Sequence, residues 1–273
     1  MERPAWAPQG IDLTVPSVSR MYDYYLGGSH NFEVDREAGR RAVQAWPGLP
    51  KLVQANRAFT RRAINYAISE GITQFLDIGS GIPTFGNTHE VAQRIDAESR
   101  IVYVDNDPVA VAHSRAVLEG NDRADIVSAD FRSPQDILYS AETERLLDFE
   151  KPVAVLLVAV LHFIEDRDEP GKIVAELAEA LAPGSLLVVS HSSTDEGPKL
   201  DGGAGVRDVY RRTSSPLIMR SRAGIKQFFE GFDLVEPGLV ALPRWRPDEV
   251  TETTDPVLLS GYAGVGRKAG SVG

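Results

Sequence analysis

From Gly71 onward the chain alternates short, mostly apolar runs with segments whose apolar residues recur every three or four positions. The runs are QFLDI, RIVYV, DIVSA, VAVLLVAV and SLLVVS; the periodic segments start near Thr88 and after Pro108 and cover Pro134 to Leu147 and Ile173 to Leu181. Strands that alternate with helices of this length predict a parallel sheet covered by helices on both faces. VAVLLVAV is apolar at every position, as a strand buried on both faces requires. The helix boundaries are signed as well. Asn87 with Glu90 three residues on makes a capping-box pattern, Asp107-Pro108 and Ser133-Pro134 each set a capping side chain before a first-turn proline, and Pro183-Gly184 ends the last helix of the series.

Upstream the texture differs. Residues 1–18, punctuated by Pro4, Pro8 and Pro16, read as an extended arm. From Ser19 to Ile68 the pattern is helical, with apolar faces over Val34 to Trp46 and Leu52 to Ile68 separated by the breaker PGLP at 47–50. In the tail, DEGPKLDGGAG at 195–205 reads as a flexible stretch and Arg222 to Phe229 as a helix, while DLVEPGLVAL and PVLLSGYAGVGRK are expected to close the sheet as an antiparallel pair. The expectation is one α/β domain with a Rossmann-like, doubly wound, seven-stranded and mostly parallel sheet: residues 1–70 as arm and helical cap, 71–268 as core.

Composition narrows the chemistry. A length of 273 residues suffices for one well-filled core. Lys plus Arg at 29 against Asp plus Glu at 39 leaves a net charge of −10, which repels phosphate backbones and anionic lipid. No nucleic-acid or membrane partner is expected. The chain has no cysteine, which excludes disulfides, thiolate catalysis and zinc-thiolate sites. The first residues show no basic-then-apolar leader pattern, and the run Val153 to Leu161 is too short to span a bilayer, so a cytoplasmic location is expected. Oligomeric state leaves no sequence signal.

The candidate chemistry sits in FLDIGSGIPTFGNTHE, Phe75 to Glu90, a glycine turn between the first strand and first helix. In open α/β sheets ligands bind at that place. A phosphate-binding P-loop needs G-x-x-x-x-G-K-[ST], but no lysine follows here and Asp77 precedes the glycines. The dinucleotide pattern G-x-G-x-x-G is met at Gly79 and Gly81 and fails at Thr84. An acid at the loop entrance suits a ligand carrying an ammonium or a sulfonium, and S-adenosylmethionine carries both without phosphate. Asp105 closes the second strand, where a carboxylate can accept two ribose hydroxyls, and Asp130 closes the third, where an adenine amino group needs an acceptor. Three acids at three successive strand ends beside a glycine loop point to a nucleoside.

With FLDIGSGIPT, VYVDNDP, SADF and LLVAVLHFI in this order, the core resembles the class I S-adenosylmethionine-dependent methyltransferases. The segments SRMYDYYLGGSHNFEVDREAGRRA, QANRAFTRRA, GNTHEVAQ and VAVLLVAVLHF are similar to a bacterial, actinobacterial-type subfamily of S-adenosyl methyltransferases long labelled a domain of unknown function; the likeness runs over residues 16–267. The resemblance implies methyl transfer by in-line displacement to an acceptor, with S-adenosylhomocysteine as product. It makes Asp77, Gly79 and Gly81 the methionine-side loop, Asp105 the ribose acid, Asn106 its adenine-edge neighbour and Asp130 with Phe131 the adenine site; Val158 and Ala159 would offer backbone to the methionine end. One departure stands out. Pro83 occupies the third glycine position of the general loop and has no N–H to give, which leaves Ser80, Thr84 and Asn87 to supply polar contacts.

Outside the core, MYDYYLGGSHNFEVD reads as a lid over the cofactor, with Tyr22, Tyr25, His30 and Asn31 shaping an acceptor pocket or docking the helix. His162, just after the fourth strand, is a candidate general base, with Tyr22 as a second catalytic candidate; a structural role for the histidine is the alternative. Arg57 is read either as a partner for the cofactor carboxylate or as a helix-surface residue. His30, His89, His113 and His191 lie on separate elements without ligand spacing, so no metal site is expected. An acidic chain with an aromatic lid favours a small-molecule acceptor. The rival readings are a nicotinamide-dependent oxidoreductase and an S-adenosylmethionine-binding regulatory protein without turnover.

Overall fold

The computed structural model describes residues 7–9, 11–195, 204–248 and 255–270; most of the 195–205 loop and the tip of the N-terminal arm lie outside them. The sheet contains β1 (Gln74–Ile78), β2 (Arg100–Asp105), β3 (Ala124–Ser128), β4 (Ala154–Val158), β5 (Leu186–Ser192), β6 (Phe232–Leu234), β7 (Val240–Ala241) and β8 (Gly261–Lys268). Its order is β3-β2-β1-β4-β5-β8-β6, with the two-residue β7 also pairing with β8. Neighbours from β3 to β5 run parallel, whereas β8 is antiparallel to both β5 and β6. Chain order therefore reverses between β1 and β4, and the crevice at their carboxyl ends is the topological switch point where doubly wound sheets take ligands.

Alternate strand residues feed two cores. Phe75, Ile101, Leu156 and Val188 are buried on one side with Phe59 and Ile64 of α3 (Leu49–Ser69). Their neighbours Leu76, Val102, Val155 and Val189 are buried on the other with Ile173 and Leu177 of α8 (Pro170–Ala180). A period of two in the side chains, with both faces apolar, is what the unbroken run VAVLLVAV encodes. Each such fully buried aliphatic side chain is worth about 1.5–3 kcal/mol.

The remaining helices are α1 (Val18–Tyr25), α2 (Glu33–Ala45), α4 (Thr88–Ile95), α5 (Pro108–Val117), α6 (Pro134–Leu138), α7 (Ala141–Leu146), α9 (Ala204–Tyr210) and α10 (Arg222–Lys226). Asp107 caps α5 as its sequence position predicts, accepting from the N–H groups of Val109 at 2.8 Å and Ala110 at 3.4 Å. Two expectations are corrected. The helix expected over 134–147 breaks at Tyr139–Ser140, because the Ser140 hydroxyl accepts the Thr143 N–H and starts a second helix. PVLL is a 3-10 turn rather than strand, and DLVEPGLVAL is split by Pro237 and Gly238 into β6 and β7.

The α1 helix is anchored from beneath. Arg20 and Asp35 are 3% and 0% exposed, with Arg20 Nε 3.0 Å from Asp35 Oδ2. The same carboxylate accepts from the N–H groups of Ser17 and Phe32. Ser17, the residue that precedes α1, also donates its hydroxyl to Asp107 Oδ2.

Candidate active site

A cleft of about 1000 Å³, open solvent included, lies over the carboxyl ends of β1 to β4. Asp77, Gly79, Ser80, Gly81, Asp105, Asn106, Asp130, Phe131, Val158 and Ala159 all line it. Asp105 carries its strand-end carboxylate among backbone donors: Oδ2 accepts the Gly81 N–H at 2.7 Å and Oδ1 the Asp107 N–H at 2.8 Å. Burial outweighs these bonds and pushes the acid up to about 6. Asp77 accepts the Thr88 hydroxyl at 2.6 Å, and burial raises it too.

The two loop glycines have different jobs. Both adopt φ near +70°. A Cβ on Gly79 would stand 2.6 Å from Val160 Cγ2, so this glycine lets the loop seat against the end of β4. A Cβ on Gly81 would meet nothing within 4 Å and would point into open space. Ala159 also adopts a positive φ, 57°, a conformation that costs an alanine of order 1 kcal/mol. Its N–H is pinned to Ser190 Oγ at 3.0 Å and Ser190 O at 3.3 Å.

Beside the cleft lies a second cavity of about 540 Å³, open solvent included, between β4, β5 and the helices α1 and α3. Tyr22, Asn56, Ala159 and Phe163 line both spaces. A hydrogen-bonded chain runs along this seam. Ser190 Oγ accepts from Ala159 and donates to Asn56 Oδ1 at 2.6 Å; Asn56 Nδ2 donates to Tyr22 Oη at 3.0 Å, which in turn donates to the Val53 carbonyl at 3.4 Å. Deeper in, Tyr25 Oη and Tyr210 Oη share one hydrogen bond of 3.0 Å.

Two histidines close the chamber. His191 Nδ1 lies 2.7 Å from the Ser192 carbonyl and so carries a proton there, while Nε2 accepts from Arg220 Nη1 at 3.0 Å. His162 Nδ1 accepts the Ser192 N–H at 3.3 Å, which places the proton of the neutral ring on Nε2. Burial, then His191 and Arg220, hold His162 well below the ordinary histidine range, and burial lowers His191 to about 3. In this arrangement the Nδ1 lone pair of His162 faces a main-chain N–H, as its structural alternative would have it, and Nε2–H is the ring atom left for other contacts.

Other residues singled out in the sequence sit elsewhere. Pro83, Thr84 and Asn87 do not line the cleft; Asn87 Oδ1 accepts the Thr84 N–H at 3.0 Å and Glu90 holds the N–H groups of Gly86 and Asn87, so they shape the loop from behind. His30 and Asn31 line neither space. The His30 ring packs 3.5 Å from that of His113, and Asn31 Nδ2 donates to Asp23 and to the Gly28 carbonyl, because both residues follow α1 on its outward turn. Tyr25 lies in the inner chamber and Tyr22 on the seam. The Asp130 carboxylate is fully engaged by Arg132 and Asn106, and Arg132 draws it down to about 2, so an adenine amino group would have to displace one of these donors. Arg57 lines the cleft and donates to the Gly86 carbonyl at 3.0 Å. The sequence reading missed Asn56, Ser190, His191 as a chamber wall, and Tyr210. Among these only Asn56, inside QANRAF, lay in a segment that the resemblance marked. Among the described residues no group of three or more acidic or histidine side chains could hold a metal ion, and no helix is long and apolar enough to cross a membrane.

The cleft fits a nucleoside with a cationic tail. Ser80 Oγ is buried in it without a partner among the described residues, Gly81 leaves room for close approach, and Asp105 keeps lone pairs for hydroxyls. Fold and site together define a doubly wound nucleoside-cofactor protein. Residues 4–269 match the S-adenosyl methyltransferase family, and the chain belongs to it. Two solved structures are similar over nearly their whole length. A Thermobifida fusca YX protein, described provisionally as a methyltransferase, is 37% identical, with 97% of this chain and 100% of that one covered and a TM-score of 0.91. A DUF574 family protein of Streptomyces avermitilis MA-4680 is 39% identical, with 93% and 98% covered and a TM-score of 0.88. Among curated proteins none matches significantly. The cofactor of the family is S-adenosylmethionine.

Proposed function

We propose that this protein transfers a methyl group from S-adenosylmethionine to a small molecule bound in the inner chamber. The observation that carries the reading is the seam: one cavity lined by acidic strand ends and a glycine loop shares the wall Tyr22, Asn56, Ala159 and Phe163 with a second that is lined by aromatic residues and by α1 and α3. The family match favours this reading over the oxidoreductase, and a second cavity beside the cleft gives an acceptor a place that a protein without turnover would not need. When bound, the cofactor supplies a sulfonium methyl that an acceptor atom takes by in-line displacement.

The protein's own residues would do the positioning. Asp105 holds ribose hydroxyls, Asp77 faces positive charge at the loop entrance, Ser80 Oγ gains the partner it lacks, and Phe131 supplies an apolar surface for the base. Tyr22, Asn56 and Phe163 hold the acceptor against the seam, and α1 keeps bulk water out; alignment and a dry site are what displacement at a methyl needs most. His162 presents an N–H to the acceptor rather than a lone pair. Tyr22, raised by burial, stays protonated and serves the wall.

Calorimetric titration of the full chain with S-adenosylhomocysteine, beside NAD and beside the Asp105→Ala variant, tests the reading. Binding of the first alone, weakened about 10- to 100-fold by loss of charged hydrogen bonds in the variant, is expected. Binding of NAD, or of neither compound, would overturn it.

A further inference from the structure

Resting on that reading, we infer that the inner chamber recognises an uncharged, flat ring system bearing a hydrogen-bond acceptor, as the molecule to be methylated. The walls are rings: Tyr22, Tyr25, Trp46, Phe163 and Tyr210, with both histidines neutral at the base. Phe163 and Tyr210 stack on each other at 5.7 Å with an interplanar angle of 27°, so that this side of the chamber is a continuous aromatic wall against which a flat guest can lie.

No Asp, Glu, Lys or Arg lines the chamber among the described residues. The nearest cation in the hydrogen-bond network, Arg220, is spent on His191, the carbonyls of Leu161 and Ile164, and an ion pair with Asp166. A charged guest would therefore shed water without gaining a counter-charge, which is costly.

Two donors in the wall have no recipient. Trp46 is buried to 4% exposure, and its indole Nε1 has no partner among the described residues. Native structures rarely leave a buried N–H orphaned unless something else fills the gap. The Tyr25–Tyr210 pair has two hydroxyl hydrogens and one mutual bond, so whichever hydroxyl accepts still has its own hydrogen to give. Burial raises both tyrosines, Tyr210 to about 12, so those hydrogens stay in place at neutral pH. With the His162 Nε2–H, the chamber offers donors and calls for a carbonyl, ring nitrogen or hydroxyl oxygen on the guest.

The test uses the full chain saturated with S-adenosylhomocysteine and three probes of one shape: 1-naphthol, 1-naphthoate and 1-naphthylmethylammonium, titrated calorimetrically. Naphthol is expected to bind, with both ions at least about tenfold weaker. Trp46→Phe keeps an aromatic, though smaller, side chain, removes the N–H and should weaken naphthol by about five- to tenfold. Leu217→Trp fills the chamber and should abolish naphthol binding, with circular dichroism and S-adenosylhomocysteine affinity as folding controls. Equal affinity for naphthoate, no naphthol binding to a protein that binds S-adenosylhomocysteine, or naphthol binding unchanged in both variants would each overturn the inference. Naphthol binding without S-adenosylhomocysteine binding would instead retire the methyltransferase reading and leave the chamber's chemistry standing.

Discussion

Asp105 is the acid to which the proposed function gives the ribose hydroxyls, and its environment sets a pH dependence. Its folded value of about 6 exceeds the usual carboxylate range because burial disfavours the charge. The folded state thus holds the proton longer than the unfolded chain, and the contribution of this group to stability falls as pH rises from about 4 to about 6, by roughly 3 kcal/mol. Hydroxyl recognition needs the ionised form. Affinity for S-adenosylhomocysteine should be flat above about pH 7 and fall by about tenfold per unit below pH 6; calorimetry at pH 5, 6 and 7.5 checks this, and a flat profile through pH 5 would contradict it. Gly79 and Gly81 give a second residue-scale contrast. Gly79→Ala adds a clash with Val160 to the φ penalty, about 2–4 kcal/mol together, and should lower the melting temperature by roughly 5–10 °C. Gly81→Ala carries only the φ penalty of about 1 kcal/mol, or roughly 2–4 °C, yet should weaken S-adenosylhomocysteine binding because its new Cβ enters the cleft.

Among the elements, α1 matters most, since it carries Tyr22 and Tyr25 to the chamber while exposing little apolar surface of its own. Its hold is polar and buried. Asp35→Ala would leave Arg20 charged and unpaired and strip acceptors from the N–H groups of Ser17 and Phe32, at a cost of about 3–5 kcal/mol. Thermal melts should show a fall of roughly 10 °C or more, with Asp35→Asn between the variant and the parent because its oxygen still accepts one bond. A loss within a degree or two would mean that α1 is held by its apolar face alone. The α6–α7 break teaches a smaller lesson about elements: a serine that reads as a tolerable helix residue in Pro134 to Leu147 acts as a new cap once its hydroxyl finds the Thr143 N–H.

For the molecule as a whole, the sheet was legible because its evidence is local. The strands β1 to β5 are short, mostly apolar runs, Asp107 signs the start of α5, and the acids Asp77, Asp105 and Asp130 mark strand ends by position alone, whereas Ser133 makes no capping bond at the start of α6. The chamber was legible only in part. Asn56 and Ser190 meet across 134 residues of chain, and Tyr25 and Tyr210 across 185, so nothing in either neighbourhood announces the pair. Tyrosines near residue 25 could be read as a lid, but His30 and Asn31 look equally functional in the same segment; only the outward turn after α1 separates them. The protonation of His162 was illegible for a similar reason, since it depends on the Ser192 N–H of a neighbouring strand.

One contact joins floor to roof. Asp107 gives its N–H to the Asp105 carboxylate, while its own carboxylate receives the Ser17 hydroxyl at the start of α1. Binding in the cleft is therefore expected to steady the start of α1 through Asp107, and any such linkage is reciprocal. In hydrogen-exchange mass spectrometry, S-adenosylhomocysteine should slow the amides of residues 18–25 several-fold while leaving α10, which borders neither cavity, as it was. Exchange unchanged in α1 would mean that the roof breathes independently of what lies beneath it, and that the acceptor enters and leaves without regard to whether the donor is in place.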